Sequence, residues 1–300
     1  MKKFIVFLLA LVSVVVCLDL AFGLCMDYMR VHAKGGHTRK METVARMGKH
    51  DILIMGSSRA NHHYNPQVIS SLSGMSAFNT GQEGNGVIMM YGLLELNLQH
   101  NTPKILIYDV TPEYDIYVHG DDSDLRYLAF LKPYFHDPAI RKIIGDVAPA
   151  ERIKLTSSLY RYNSTCLTVA NDFIKGQDDP LCGYRPMKGK MAALPEIRAE
   201  RAELATDPLK LKYFHALIKL AKEKGIRLFA VASPKAGQWD DSVFSPLKAL
   251  CQAEGVPFLD HYLDEDFSTK PELFNDPVHL NKQGAKLFSA KISEEILQAI

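Results

Sequence analysis

The chain begins with Lys2 and Lys3, runs apolar from Phe4 to Leu18, meets one carboxylate at Asp19 and is apolar again from Leu20 to Met26. As a helix of about 23 residues at roughly 1.5 Å each, this run reaches about 35 Å, against about 30 Å for a hydrocarbon layer. Residues 1–28 are therefore predicted to be a membrane anchor or signal segment. A carboxylate at mid-bilayer costs on the order of 3 kcal/mol, but Asp19 lies toward the far end, and the rest of the run outweighs it. Cleavage at the small-x-small run Ala21-Phe22-Gly23 is the competing reading, and an uncleaved anchor is preferred. Val16 and Leu24 are too large to precede a lipidated cysteine, so Cys17 and Cys25 read as membrane packing. Either way the remaining chain is expected outside the cytoplasm, periplasmic or at the cell surface. Arg30, Lys34, Arg39 and Lys40 weaken the charge asymmetry that sets this orientation.

After a polar linker over residues 29–50, the pattern becomes one of short apolar runs separated by helical segments. Asp51 to Gly56, Ala77 to Asn79, Lys104 to Val110, Ile226 to Ala232 and Val256 to Asp260 read as five strands, the first closed by glycine like a buried parallel strand. Val87, Tyr91, Leu94 and Leu98 recur at helical spacing. Asp207 as cap, Pro208 in the first turn and Gly225 at the end bracket a helix with Leu211, Phe214, Leu217, Ile218 and Ala221 on one face. A last helix follows Asn281, with Ala285, Phe288, Ile292 and Ile296 inward. Strands alternating with helices predict an α/β fold: a three-layer α/β/α sandwich with a mostly parallel five-stranded sheet and its site at the strands' carboxyl ends.

The stretch between the third and fourth strands is too long for a plain crossover and predicts a helical insertion at about 112–225 within a domain spanning 51–300. Asp122 to Leu131, Pro138 to Asp146 and Pro195 to Leu204 read as helices, Gln177 to Lys190 as loop, and the whole as a cap or lid over the site. Cys166 and Cys182 are either a bridge across this insertion or two free thiols. Composition narrows the function. With Lys+Arg at 35 and Asp+Glu at 34, no basic excess exists to neutralise a phosphate backbone, which argues against a nucleic-acid partner. Five cysteines without paired CxxC spacing argue against a structural zinc site or a disulfide scaffold, and no metal or other cofactor is expected.

Two segments carry chemistry. Ser58 follows the first strand on a tight Gly56-Ser57-Ser58 turn that opens into a helix, where a hydroxyl points out of the sheet's end beside free backbone N–H groups; the plain alternative is a helix cap. Asp276-Pro277-Val278-His279 puts a carboxylate and an imidazole three residues apart on one loop, so Nδ1 can be held by Asp276 while Nε2 takes a proton. These segments resemble the SGNH or GDSL family of serine esterases and lipases, whose first block ends a strand with G-D-S and whose last block is D-x-x-H before the C-terminal helix. The matching stretches are Ile54-Met55-Gly56-Ser57-Ser58 and Asp276-Pro277-Val278-His279-Leu280-Asn281. The family's second block, an asparagine with a turn ending in glycine, looks like Asn79-Thr80-Gly81-Gln82-Glu83-Gly84. The resemblance covers roughly residues 50–115 and 226–300. It implies a catalytic Ser58, His279 and Asp276, and an oxyanion hole from the N–H groups of Ser58 and Gly84.

The third block departs from the family. Where it has G-x-N-D, this chain reads Tyr108-Asp109-Val110-Thr111-Pro112-Glu113, without the asparagine that donates to the oxyanion. Asn85, Asn61 and Thr111 are the candidate replacements. The Gly-Ser-Ser form behind an N-terminal anchor is similar to membrane-bound SGNH-like proteins that move acyl groups on cell-envelope polymers. The resemblance thus implies an esterase working through an acyl-serine on an acylated small molecule or carbohydrate. The alternatives are an O-acyltransferase on surface polysaccharide and a catalytically silent, membrane-tethered glycan-binding or assembly protein. Of the other conspicuous residues, His62 and His63 read as surface or groove histidines, Arg59 as an anion contact or an exposed first-turn arginine, Trp239 as loop packing or a sugar platform, and Asp109 as partly buried and hydrogen-bonded.

Overall fold

The computed structural model describes residues 1–118, 128–177, 179–196 and 205–300. The chain forms two compact units, one of Met1–Thr43 with Asp124–Asp179 and one of Val44–Ser123 with Pro180–Ile300.

The second unit holds the sheet. Its strands are β1 (Ile52–Gly56), β2 (Ala77–Asn79), β3 (Ile105–Asp109), β4 (Arg227–Ala232) and β5 (Phe258–Asp260), all parallel, in the order β2-β1-β3-β4-β5. Both faces are covered, which is why β1 and β3 are buried at every position and read as continuous apolar runs. Alternate residues sort to the two faces. Ile52 and Ile54, Ile105 and Ile107, and Phe229 and Val231 join the core with Phe288, Ile292 and Ile296 of the helix Lys282–Gln298. Tyr108 points the other way, onto Phe214 of the helix Pro208–Glu223. The helix Lys282–Gln298 also packs on the helices Ser58–His63 and Pro66–Ser73, and Pro208–Glu223 packs on Val87–Asn97, completing the three layers.

Local chemistry sets the helix ends where the sequence pattern put them. The Asp207 carboxylate accepts from the Leu209 and Lys210 N–H groups, and the Asn281 side chain from those of Gln283 and Gly284. Such caps contribute about 1 kcal/mol each. Register aligns Gly56, Asp109 and Val231 in one row, so the loops leaving β1, β3 and β4 start at the same height on the carboxyl rim.

In the first unit, the helix Lys2–Val31 is exposed all round through Leu18, and from Asp19 onward one face is covered. Asp19 accepts from Ser157 Oγ (2.7 Å) and from the backbone N–H groups of Ser158 and Leu159 (both 2.8 Å). The carboxylate that interrupts the apolar run therefore caps the short helix Ser158–Tyr162. Gly23 passes so close to that helix that a Cβ there would meet Ser158 Oγ at 2.3 Å, which accounts for a small residue at this position. Further along, buried Arg30 pairs with Glu42 and with Asp27 (3.0 Å), donates to Tyr162 Oη (3.1 Å), and lies 4.7 Å from the Tyr134 ring.

These contacts alter the picture of the insertion. The helices Pro138–Val147, Glu151–Lys154, Ser158–Tyr162 and Cys166–Lys175 belong to the unit of the N-terminal helix, while the loop from Pro180 and the helix Pro208–Glu223 belong to the sheet unit, so the stretch is divided between the two. Pro138–Val147 is helical as the pattern predicts. Glu151–Lys154, Ser158–Tyr162 and Cys166–Lys175 are further helices that the sequence pattern did not predict. The predicted helix Asp122–Leu131 is described only at its end, where Leu128–Phe130 is a 3₁₀ turn, and Pro195–Leu204 lies outside the described residues beyond 196. The stretch 29–50 carries the helix Gly36–Glu42 and a π-helical turn at Thr43–Met47. No disulfide joins Cys166 and Cys182.

Candidate active site

The sheet order reverses at β1, with β2 on one side and β3 on the other, and this switch point is where open α/β sheets leave a crevice at their carboxyl ends. Gly56 ends β1 there with φ +138°, a conformation that side chains rarely adopt; a Cβ would meet the Asp109 carbonyl oxygen at 2.4 Å. Ser57 is then extended, and Ser58 opens the helix Ser58–His63. Gly56→Ala is expected to lower stability by about 3 kcal/mol, from backbone strain plus overlap; a chemical denaturation midpoint indistinguishable from wild type would contradict this account of the turn.

Ser58 Oγ lies 2.8 Å from His279 Nε2, across 221 positions of sequence. His279 Nδ1 is 3.0 and 3.1 Å from the two Asp276 oxygens. A carboxylate only accepts, so Nδ1 carries the ring proton, Nε2 is the acceptor, and Ser58 donates to it. Asp276 is itself held by donors: the Val278 and His279 N–H groups (both 3.0 Å) and Asn275 Nδ2 (3.0 Å). Burial pushes its carboxyl up, but these hydrogen bonds and the His279 ring outweigh burial and hold it below the usual range.

The residues between the helix of Ser58 and the histidine loop form a polar frame. His63 is fully buried, with Nδ1 2.9 Å from Ser233 Oγ and Nε2 accepting from the Leu280 N–H at 3.0 Å. It thereby ties the Ser58 helix to the residue after His279. Burial, then the nearby His279, Arg59 and His62, depress its pKa well below 6.5. The sign of the linkage follows: a neutral folded His63 contributes stability that is fully present above about pH 6.5 and is lost as the unfolded chain takes up a proton below it. For one proton the slope is at most about 1.4 kcal/mol per pH unit. Between pH 7 and 5 the melting temperature of wild type should therefore fall more steeply than that of His63→Gln; parallel curves would argue against a buried neutral imidazole.

His62 is also buried, contrary to a surface placement. Its Nδ1 is 2.5 Å from the Arg185 carbonyl oxygen, its Nε2 is 2.8 Å from Glu83, and its ring centroid lies 5.3 Å from that of His279. Arg59 is not an exposed first-turn arginine: at 2% exposure it donates to the Val110 carbonyl and to the Ser233 carbonyl (3.3 Å) and sits 3.5 Å from Asp109. Asp109 is fully rather than partly buried and accepts from Tyr64 Oη at 2.6 Å. Burial raises its pKa against the lowering effect of Arg59. Ser233 and Arg185 were not singled out by sequence; neither has a local motif, and only folding brings them to this rim.

Asn79 is used as a staple. Its Nδ2 donates to the carbonyls of Ala60 (2.7 Å) and Tyr64 (2.9 Å), and its Oδ1 accepts from the Gly81 N–H (2.9 Å). The Gln82 N–H donates to the Gly56 carbonyl (3.1 Å), which fixes the turn carrying Gly84, at φ +62°, against the end of β1. Of the three candidate replacement donors, Asn61 donates to Glu83 Oε1 (2.6 Å) and Asn85 to the Glu83 carbonyl (2.7 Å). Thr111 Oγ1 is buried without a hydrogen-bond partner among the described residues. Trp239 donates from Nε1 to the Ala236 carbonyl at 2.7 Å and stays half-exposed.

A serine, a histidine acceptor and a half-buried carboxylate in series, at the switch point of a doubly wound α/β sheet, are the parts with which a serine hydroxyl can be activated for acyl chemistry. No family model and no curated protein matches the sequence. Among solved structures the chain is similar to a Bacteroides fragilis protein described as an acylhydrolase, at 14% identity over 88% of this chain and 97% of that one, TM-score 0.44. It is also similar to a GDSL-like lipase from Bacteroides thetaiotaomicron, at 12% identity over 83% and 88%, TM-score 0.40. A third is the periplasmic domain of a lipopolysaccharide acetyltransferase from Salmonella Paratyphi A, at 12% identity over 93% and 97%, TM-score 0.33. One of the three is described as GDSL-like, the kind that the motifs resemble; at these identities and scores the neighbours carry no argument about chemistry, which rests on the residues themselves.

Proposed function

We propose that this chain is a membrane-tethered, extracytoplasmic serine esterase of SGNH type, acting on an acylated carbohydrate of the cell envelope. The observation that carries the reading is the continuous Ser58–His279–Asp276 hydrogen-bond series, with Nε2 free to accept at 2.8 Å. In the reaction Ser58 Oγ attacks the ester carbonyl as His279 Nε2 takes its proton. The tetrahedral oxyanion lies against the N–H groups of Ser58 and Gly84. His279 then protonates the departing alkoxide, leaving an acyl-serine, while Asp276 keeps the imidazole in its tautomer and stabilises the imidazolium. Water completes hydrolysis by the reverse proton path; a sugar hydroxyl in its place completes transfer.

The long apolar N-terminal helix supports the tether, and Asp19 and Gly23 have packing roles that fit an uncleaved segment. The test is reaction of the full-length protein with a fluorophosphonate probe, followed by release of acetate from acetylated oligosaccharides with and without an excess of unacetylated acceptor. Acetate release without a shift of acetyl to the acceptor supports hydrolysis; accumulation of acetylated acceptor supports transfer; absence of labelling removes Ser58 as nucleophile.

A further inference from the structure

Lys235 stands just beyond β4 on a loop that is tied to both halves of the proposed machinery. One residue pair before it, Ser233 receives Arg59 at its carbonyl (3.3 Å) and meets His63 at its hydroxyl (2.9 Å), and both partners lie on the Ser58 helix. On the other side, the Ala236 N–H donates to the Pro277 carbonyl at 3.0 Å, on the loop between Asp276 and His279. The Lys235 side chain is therefore carried on the same rim as the reacting groups. Its Nζ lies 3.4 Å from the centroid of the Trp239 ring and 5.8 Å from that of Tyr262.

An ammonium has three N–H donors and needs acceptors for them when water is thinned out around it. Lys235 is half-buried, yet among the described residues no carboxylate or carbonyl hydrogen-bonds to its Nζ; its neighbours are aromatic faces. Burial pushes its pKa down to about 8, against the attraction of Glu113 and with a repulsion from Arg59. The Arg59 charge is already matched by Asp109 inside the protein and offers nothing to an outside anion. A single ammonium with no hydrogen-bonded acceptor among the described residues fits a monoanionic carboxylate; a phosphate dianion is ordinarily gripped by an arginine fork or several backbone N–H groups.

We propose that Lys235 Nζ, backed by the Trp239 ring, is a subsite for a carboxylate on the ester substrate, so that the protein selects acylated acidic sugars over neutral ones. This rests on the function proposed above for the identity of the substrate as a carbohydrate ester, but its own claim is about binding. It is tested by calorimetric binding of oligogalacturonate, and of neutral xylo-oligosaccharide of equal length, to the full-length chain in detergent. Wild type, Lys235→Met and Lys235→Arg are compared, with melting curves showing that the variants are folded.

Wild type should bind the acidic oligomer more tightly than the neutral one; Lys235→Met should lose at least about tenfold in affinity for the acidic oligomer alone, and Lys235→Arg should retain it. Equal binding of the two oligomers, no binding of oligogalacturonate, or an unchanged affinity in Lys235→Met overturns the subsite. Tighter binding of a glycerol-phosphate oligomer than of oligogalacturonate overturns the carboxylate assignment. Fluorophosphonate labelling of wild type in the same preparation separates the two proposals: Lys235-dependent binding without labelling supports the subsite while removing Ser58 as nucleophile.

Discussion

Ser58→Ala is expected to abolish fluorophosphonate labelling and to lower ester turnover by about 10⁴- to 10⁶-fold, equivalent to roughly 5.5 to 8 kcal/mol of transition-state stabilisation. The size follows from how the residues act together. Without the Oγ nucleophile, His279 has no proton to accept, and only substrate positioning and the oxyanion donors remain. His279→Ala should fall nearly as far, and Ser58→Ala/His279→Ala should be no worse than either alone. Asp276→Asn keeps the loop but removes the acceptor that places the proton on His279 Nδ1 at 3.0 Å, and should lose about 10⁴-fold in kcat. Progress curves with an acetylated oligosaccharide or an aryl acetate measure all four. Retention of more than a tenth of wild-type turnover in Ser58→Ala would end the proposal that Ser58 is the nucleophile.

The second large effect concerns stability. Arg59→Leu should destabilise the sheet unit by about 3 to 5 kcal/mol, because it leaves the Asp109 carboxylate fully buried with only the neutral donors of Tyr64 and Ser233 and frees two carbonyls that Arg59 satisfies. Replacing both charges, in Arg59→Leu/Asp109→Leu, should recover much of that loss, since the desolvation of the carboxylate disappears with it. Urea denaturation of the two single variants and the double variant gives the coupling directly. A single-variant cost below about 1 kcal/mol would mean that water reaches Asp109 and that the ion pair does not hold the ends of β1, β3 and β4 together.

This pair also shows where sequence reasoning stops. Arg59 directly follows Ser58, and an arginine in a first helical turn is ordinarily solvated; its burial depends on where Asp109 and Ser233 arrive, and they come from other strands. His63 is similar, since its role is defined by Leu280 and Ser233, distant in sequence. The helices Ser158–Tyr162 and Cys166–Lys175 pack on the N-terminal helix, and Asp19 caps the first of them, a partnership that neither stretch discloses by itself. A carboxylate within an apolar run looks like a defect until the capped helix is placed beside it.

What the sequence by itself determined is whatever local physics decides: which runs are buried strands, where Asp207 and Asn281 start helices, that a glycine turn delivers Ser58, and that Asp276 and His279 share one loop. Those features depend on neighbours within a few residues, where hydrogen-bond geometry and side-chain periodicity leave few choices. Only the tertiary structure decided that Ser58 and His279 meet, that the helices Ser158–Tyr162 and Cys166–Lys175 pack with the N-terminal helix, and that Lys235 lies against aromatic faces. Each of those outcomes joins groups far apart along the chain, and their partners are selected by sheet order, burial and charge compensation, none of which a local pattern encodes.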